Sequence, residues 1–209
     1  MKRVIVEYEP GDIVSLAGTA FVVLDVERAA GYYPDSLFLL AMQNIGNSRF
    51  GNHNNYANSD LSTAVDEWLH DLGKKGADLS RIIERWIDLT TLDGCRDFGK
   101  LSVDAAPLTM DEARSYAGLI PDADEDYWLA TGWSGPDKED RDCALCINTK
   151  GGWDECGCSN SLGIRPALKV SAAIFDCVNG RKPDLSELTI DVLLEEIGKR
   201  LKREKENVK

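Results

Sequence analysis

Residues 143–158 read CALCINTKGGWDECGC, a stretch that holds four of the six cysteines of the chain in the spacing C-x2-C-x9-C-x-C. Two structures compete for this pattern: a zinc site, or a β-hairpin whose strands carry cysteines. A tetrahedral zinc requires four thiolates converging at about 2.3 Å from the metal. Lys150-Gly151-Gly152 lies between two strand-like runs, which is the mark of a glycine turn. Strand residues three apart point to opposite faces, so Cys143 and Cys146 diverge, whereas Cys156 and Cys158 share a face. One of the four must miss any common centre. The interior of "CALC" is also apolar, without the Gly or Pro that zinc knuckles usually place beside their cysteines. The stretch is therefore read as a hairpin, with no metal and with cysteines acting as small core residues. A redox C-x-x-C opens a helix whose dipole activates the thiolate, and no helix is expected to start here.

Outward from the hairpin, "GIRPALKVS" (163–171) reads as another strand, with Pro166 marking an edge or a bulge. "YWLATGWSG" (127–135) begins as a strand and breaks at Gly132. In "LTMDEARSYAGLIP" (108–121), Thr109 stands three residues before Glu112, a capping box that predicts a short helix ending before Pro121. "RIIERWIDLTTLDG" (81–94) is read as helix giving way to strand near Trp86. Leu61, Val65, Trp68, Leu69 and Leu72 fall on one helical face, with Asn58, Ser59 and Asp60 available as N-caps and Gly73 as a stop. The Asn-rich residues before this helix lack periodicity and read as loop.

Nearer the start, "RVIVEY" (3–8) alternates as a strand, "GDIVSLAGTAFVVLDVE" (11–27) reads as a hairpin, and "DSLFLLAM" (35–42) as a buried strand. The expected organisation is one α+β domain over residues 1–180, followed by a C-terminal amphipathic helix and basic tail over 181–209. In that tail, Ile190, Leu193, Leu194, Ile197 and Leu201 form an apolar stripe, with Asp184, Glu187 and Asp191 early and Lys/Arg residues late. The stripe either packs back on the domain, makes a homo-oligomer, or docks on a larger structure.

The chain is 43% hydrophobic, enough to bury a core without covalent staples. It has no apolar run long enough to span a membrane. Its start lacks a long apolar segment, so no secretory signal is expected, and the location expected is cytoplasmic or virion-associated. Net charge is −12; residues 199–209 carry six basic and two acidic groups (+4), leaving −16 on residues 1–198. An acidic body argues against duplex nucleic acid, whose phosphates require a basic face.

Three stretches together carry a resemblance: "YANSD" (Tyr56 to Asp60), "WLAT" (Trp128 to Thr131) and "GIRPA" (Gly163 to Ala167). With the order of elements, they resemble an uncharacterised domain family of Firmicutes and their phages, over about residues 10–178. That family in turn is similar to the C-type-lectin fold, shared with formylglycine-generating enzymes and phage tropism proteins. The resemblance implies small antiparallel sheets flanked by two helices, with long loops over a second sheet. It also implies a binding module of phage or bacterial origin, recognising a protein or glycan through that sheet and its loops, without a cofactor.

The residues expected to meet a ligand are Trp133, Asn148, Lys150, Trp153, Asp154 and Glu155, because exposed aromatics with polar neighbours anchor interfaces. The competing reading places both tryptophans in the core. "GWDE" resembles the W-N-D of calcium-dependent sugar lectins, but their companion E-P-N element is absent, so neither calcium nor a sugar is assigned. The formylglycine-generating relatives use a reactive cysteine pair, which would make Cys156 and Cys158 the candidates for an enzyme. No basic residue or helix terminus lies beside them in sequence to activate a thiol. No nucleophile, acid and base converge on a catalytic set; the histidines are His53, read as solvated, and His70, read as a helix-end cation. Asp122, Asp124, Glu125 and Asp126 read as a solvated acidic loop. Gly163 and Arg165 are expected to be scaffold, Arg165 holding a buried carboxylate or loop carbonyls.

Overall fold

The computed structural model describes residues 8–28 and 35–175. Most of the expected strand over 3–8 and the whole expected C-terminal helix lie outside the described residues. In chain order the strands are β1 (Ile13–Leu16), β2 (Thr19–Glu27), β3 (Ser36–Ala41), β4 (Asn47–Arg49), β5 (Ile82–Ile83), β6 (Arg85–Asp88) and β7 (Lys100–Val103). They continue as β8 (Ala105–Pro107), β9 (Tyr127–Gly132), β10 (Cys143–Ile147), β11 (Trp153–Gly157), β12 (Ser161–Gly163) and β13 (Pro166–Ser171). Helix α1 (Asp60–Lys74) follows β4, and α2 (Met110–Ser115) follows β8.

The first sheet runs β1-β2-β3-β13-β5, with β8 also paired to β13; the second runs β11-β10-β9-β12-β4; β6 and β7 form a ribbon. The β1–β2 turn places Ala17 (φ 49°) and Gly18 (φ 82°) in the left-handed region, which matches the twist of a two-residue hairpin. Along β2 the side chains alternate between two cores. Phe21 and Val23 meet Leu61, Val65, Leu69 and Leu72 of α1, whereas Val22 and Leu24 meet Ala113 of α2 together with Leu129, Leu145 and Ile147. One helix thus covers each face of the first sheet, and the described residues are α+β with more strand than helix.

The helix starts follow from their caps. Ser59 Oγ accepts the Ser62 N–H at 2.9 Å, and Thr109 and Glu112 complete the capping box of α2. Gly73 does not stop α1, which runs on to Lys74. A Cβ at Gly73 would lie 2.7 Å from Leu79 Cδ1, so its role is to let the following turn close against the helix.

Two expectations are corrected. The helix expected to begin at Arg81 is absent: a single 3-10 turn (Leu79–Arg81), capped by Asp78, gives way to strand at Ile82. From Arg85 to Asp88 burial alternates with period two, so the stretch packs as strand and leaves Trp86 69% exposed. Likewise β13 is a central strand rather than an edge, flanked by β3 on one side and by β8 and β5 on the other. Pro166 is accommodated because it is the first residue of β13, opposite Pro107. No helix among the described residues is long and apolar enough to cross a membrane.

Candidate functional site

The hairpin expected at 143–158 forms as β10 and β11, in the register Cys143↔Gly157, Cys146↔Asp154 and Ile147↔Trp153. Its turn is braced by Asn148, whose Oδ1 accepts the N–H groups of Lys150 and Gly152, each at 3.0 Å. Leu145 and Ile147 point to the α2 side, and Ala144 and Cys146 to the α1 side. The strand β11 lies at the edge of its sheet.

This arrangement creates a groove of about 430 Å³ between α2 and the hairpin. Leu145 belongs to its floor; Met110 and Arg114 of α2 stand along one side, Trp133 at the end of β9, Trp153 at the start of β11, and Leu92 on the turn after β6. Asp154 and Glu155 add charge to the lining. Backbone bonds set the walls in place: the Leu92 N–H donates to Gly132 O and the Asp93 N–H to Trp133 O, while the Trp133 N–H donates to Cys143 O. The Arg114 guanidinium lies 5.6 Å from the centre of the Trp153 ring, a cation–π contact joining α2 to β11. Trp153 is nevertheless 41% exposed, and Leu92 37%. Trp153 and Leu92 thus stand open beside a concave surface that is mostly apolar.

The six residues expected from sequence separate. Trp133, Trp153, Asp154 and Glu155 line the groove together. Asn148 lies on the other side of Trp153, in a smaller depression of about 120 Å³, and its side-chain oxygen braces the turn. Lys150 is exposed at the tip of that turn. Asp154 Oδ1 accepts the N–H of Glu155 on its own strand at 2.9 Å. Because the Asn148 N–H donates to Gly152 O and the Cys158 N–H to Asp142 O, the odd-numbered amides of β11 face away from β10. The Asp154 carboxylate therefore covers one outward amide, which protects the sheet edge from unwanted pairing. Leu92, Met110, Arg114 and Leu145 were not expected from sequence, since three separate segments supply them; the only sequence signal was that all neighbour elements flanked by turns.

A second depression, of about 160 Å³, lies beside Phe38, Arg85, Trp86 and Tyr116. Its charges are already paired: Arg85 with Glu112, Lys169 with Glu27 at 2.6 Å, and the Tyr116 hydroxyl donating to Asp25. Arg85 also lies 5.0 Å from the centre of the Phe38 ring, so the resident guanidinium occupies the aromatic face. The acidic loop does not converge: Glu125 accepts from Asn47, and Asp126 accepts the N–H of Thr149. Among the described residues, no group of three His, Cys, Asp or Glu side chains could hold a metal ion.

Three of the hairpin thiols are held largely in their protonated form. Burial pushes the Cys158 thiol up to about 12, with Cys143 and Asp142 adding to the shift. Burial, then the neighbouring Cys156, raises Cys146 well above the ordinary thiol value, and burial with Glu155 raises Cys143. A thiol held in its protonated form is a weak nucleophile. His53 Nδ1 accepts the N–H of Asn55, and His70 is exposed on α1.

Arg165 holds carbonyls, the second of the two partners expected for it: those of Ala41, Met42 and Pro121, at 2.8–2.9 Å. Gly163 is a close approach, since a Cβ there would fall 1.9 Å from Asn44 Nδ2. No protein family, curated protein or solved structure matches the chain.

Proposed function

We propose that the protein is a non-catalytic binding module whose ligand site is the groove between α2 and the β10–β11 hairpin. The observation that carries this reading is the pairing of Trp133 with the open Trp153 around about 430 Å³ of mostly hydrocarbon lining. Sites for small or extended ligands take this form, with apolar walls and few polar groups to fix orientation. The C-type-lectin-like fold is part of the proposal. Its support is the set of motifs at 56–60, 128–131 and 163–167, together with a helix on each face of an antiparallel sheet and a second sheet beside it. A phage or bacterial origin rests on the same motifs.

Between a protein and a glycan, the lining favours a protein segment with an apolar anchor. Leu92, Met110 and Leu145 offer no hydrogen bonds to sugar hydroxyls, and the acidic body suits basic residues flanking that anchor. The test is a parallel screen of peptide and glycan arrays, followed by titration of the best binders. Peptides with an apolar residue between basic ones are expected to bind. Trp153→Ala should weaken them by about 2 kcal/mol or more, roughly thirtyfold, as removal of a central aromatic anchor does. Trp86→Ala, outside the groove, should leave them unchanged. Equal losses in both variants, or binding confined to glycans, would contradict the reading.

A further inference from the structure

On the face of the hairpin opposite Leu145, the Sγ atoms of Cys146 and Cys156 stand 2.9 Å apart. The register explains the meeting. Cys146 is opposite Asp154 and Cys156 is opposite Ala144, so the two cysteines are diagonal neighbours on one face of adjacent strands. Their exposure differs: Cys146 is fully buried, and Cys156 is partly open to solvent. Both are free thiols, as are Cys95, Cys143 and Cys158.

We propose that Cys146 and Cys156 form an oxidisable dithiol that closes to a disulfide across the β10–β11 hairpin, with a small-molecule disulfide of the glutathione type as the oxidant. The sulfurs already meet at 2.9 Å, against about 2.05 Å in a disulfide, so closure brings them together by less than about 1 Å. The accessible Cys156 thiolate attacks one sulfur of the small disulfide. That S–S bond breaks and one small thiol departs, leaving a mixed disulfide on Cys156. Cys146 then attacks the Cys156 sulfur, passing its proton to the departing small thiolate; burial keeps its thiolate fraction low, so the step relies on the 2.9 Å contact rather than on an activated thiol. The protein gives up two hydrogens and two electrons, and the small disulfide becomes two thiols. The other order is disfavoured, because an external disulfide cannot reach the buried Cys146.

The location gives the bond a consequence. Among the described residues β11 is an edge strand paired only with β10, and it carries Trp153, Asp154 and Glu155. A bond between Cys146 and Cys156 ties that strand to its neighbour from behind. The disulfide itself stands whether or not the groove binds a ligand, since it depends only on the two sulfurs.

The experiment equilibrates the full chain in buffers of graded reduced-to-oxidised glutathione ratio, quenches with acid, alkylates free thiols and maps the products by mass spectrometry. Cleavage after Lys150 separates Cys146 from Cys156, so a bond between them appears as two linked peptides. As the buffer becomes more oxidising, two of the six thiols should become resistant to alkylation, and fragmentation should place the link at Cys146–Cys156. The Cys143→Ser/Cys158→Ser double variant should form the same link, and Cys156→Ser should lose it. A link mapped to Cys143 or Cys158 in the wild-type chain would overturn the proposal. So would glutathione retained on Cys156 without transfer to Cys146, or a wild-type chain that keeps all its thiols reactive across the range; neither result depends on a variant folding.

Discussion

Arg165→Met is expected to lose about 3–5 kcal/mol of stability, because three carbonyls lose their shared donor at about 1–3 kcal/mol for each one that stays buried. Arg165 is 1% exposed and, among the described residues, has no carboxylate within bonding distance. Its Nε donates to Ala41 O, Nη2 to Met42 O and Nη1 to Pro121 O, and its guanidinium lies 4.9 Å from the centre of the Tyr127 ring. Burial pushes its pKa down, while Tyr127 and Asp122 oppose that shift. Ala41 ends β3, Met42 follows it, and Pro121 belongs to the loop leading to β9. One side chain thus ties the end of the first sheet to the approach to the second. Methionine fills much of the volume but leaves the three carbonyls without donors. Arg165→Lys should recover less than half of the loss, because an ammonium cannot present a planar fork to three separate oxygens. Equilibrium denaturant unfolding checks both, and an Arg165→Met midpoint within error of wild type would refute the assignment.

Trp128→Ala should cost a similar amount, about 3–5 kcal/mol, through a large cavity and a lost hydrogen bond. The ring is fully buried, meets Phe50 edge-on at 5.5 Å, and donates from Nε1 to Ser48 O at 2.9 Å. Ser48 is in β4 and Trp128 in β9, two strands separated by β12, so the indole spans the sheet beneath the intervening strand. Trp128→Phe keeps most of the apolar contact and orphans the Ser48 carbonyl, so about 1–3 kcal/mol is expected. Unfolding of the two variants with an unchanged denaturant slope would separate packing loss from a change in the unfolded chain.

What could be read from sequence was local. Helix α1 was legible because its five apolar residues fall on one face and Ser59 stands at its start; α2 was legible from Thr109 and Glu112. The hairpin at 143–158 was legible from its glycines, but its register was not, and the meeting of Cys146 with Cys156 follows only from that register. Residues 82–85 were misread because Ile82 and Ile83 suit either period in so short a run, while the strand expected near Trp86 is present; pairing with β13 and β7 decides for strand throughout. Pro166 misled because its cost depends on which residue of the strand it occupies, and only the pairing with Pro107 shows that. The groove was half legible. Its two tryptophans and two acids lie in or beside the hairpin motif, whereas Leu92, Met110 and Arg114 arrive from segments that only the topology brings alongside.

The most direct test of the groove is fluorine NMR of the protein grown with fluorotryptophan at its five tryptophans, recorded while a peptide binder from the array is added. The groove account predicts that the Trp153 and Trp133 resonances shift with the titration while those of Trp86 and the buried Trp128 hold still. A spectrum in which Trp86 alone responds, or in which Trp153 is unmoved at saturation, would contradict it.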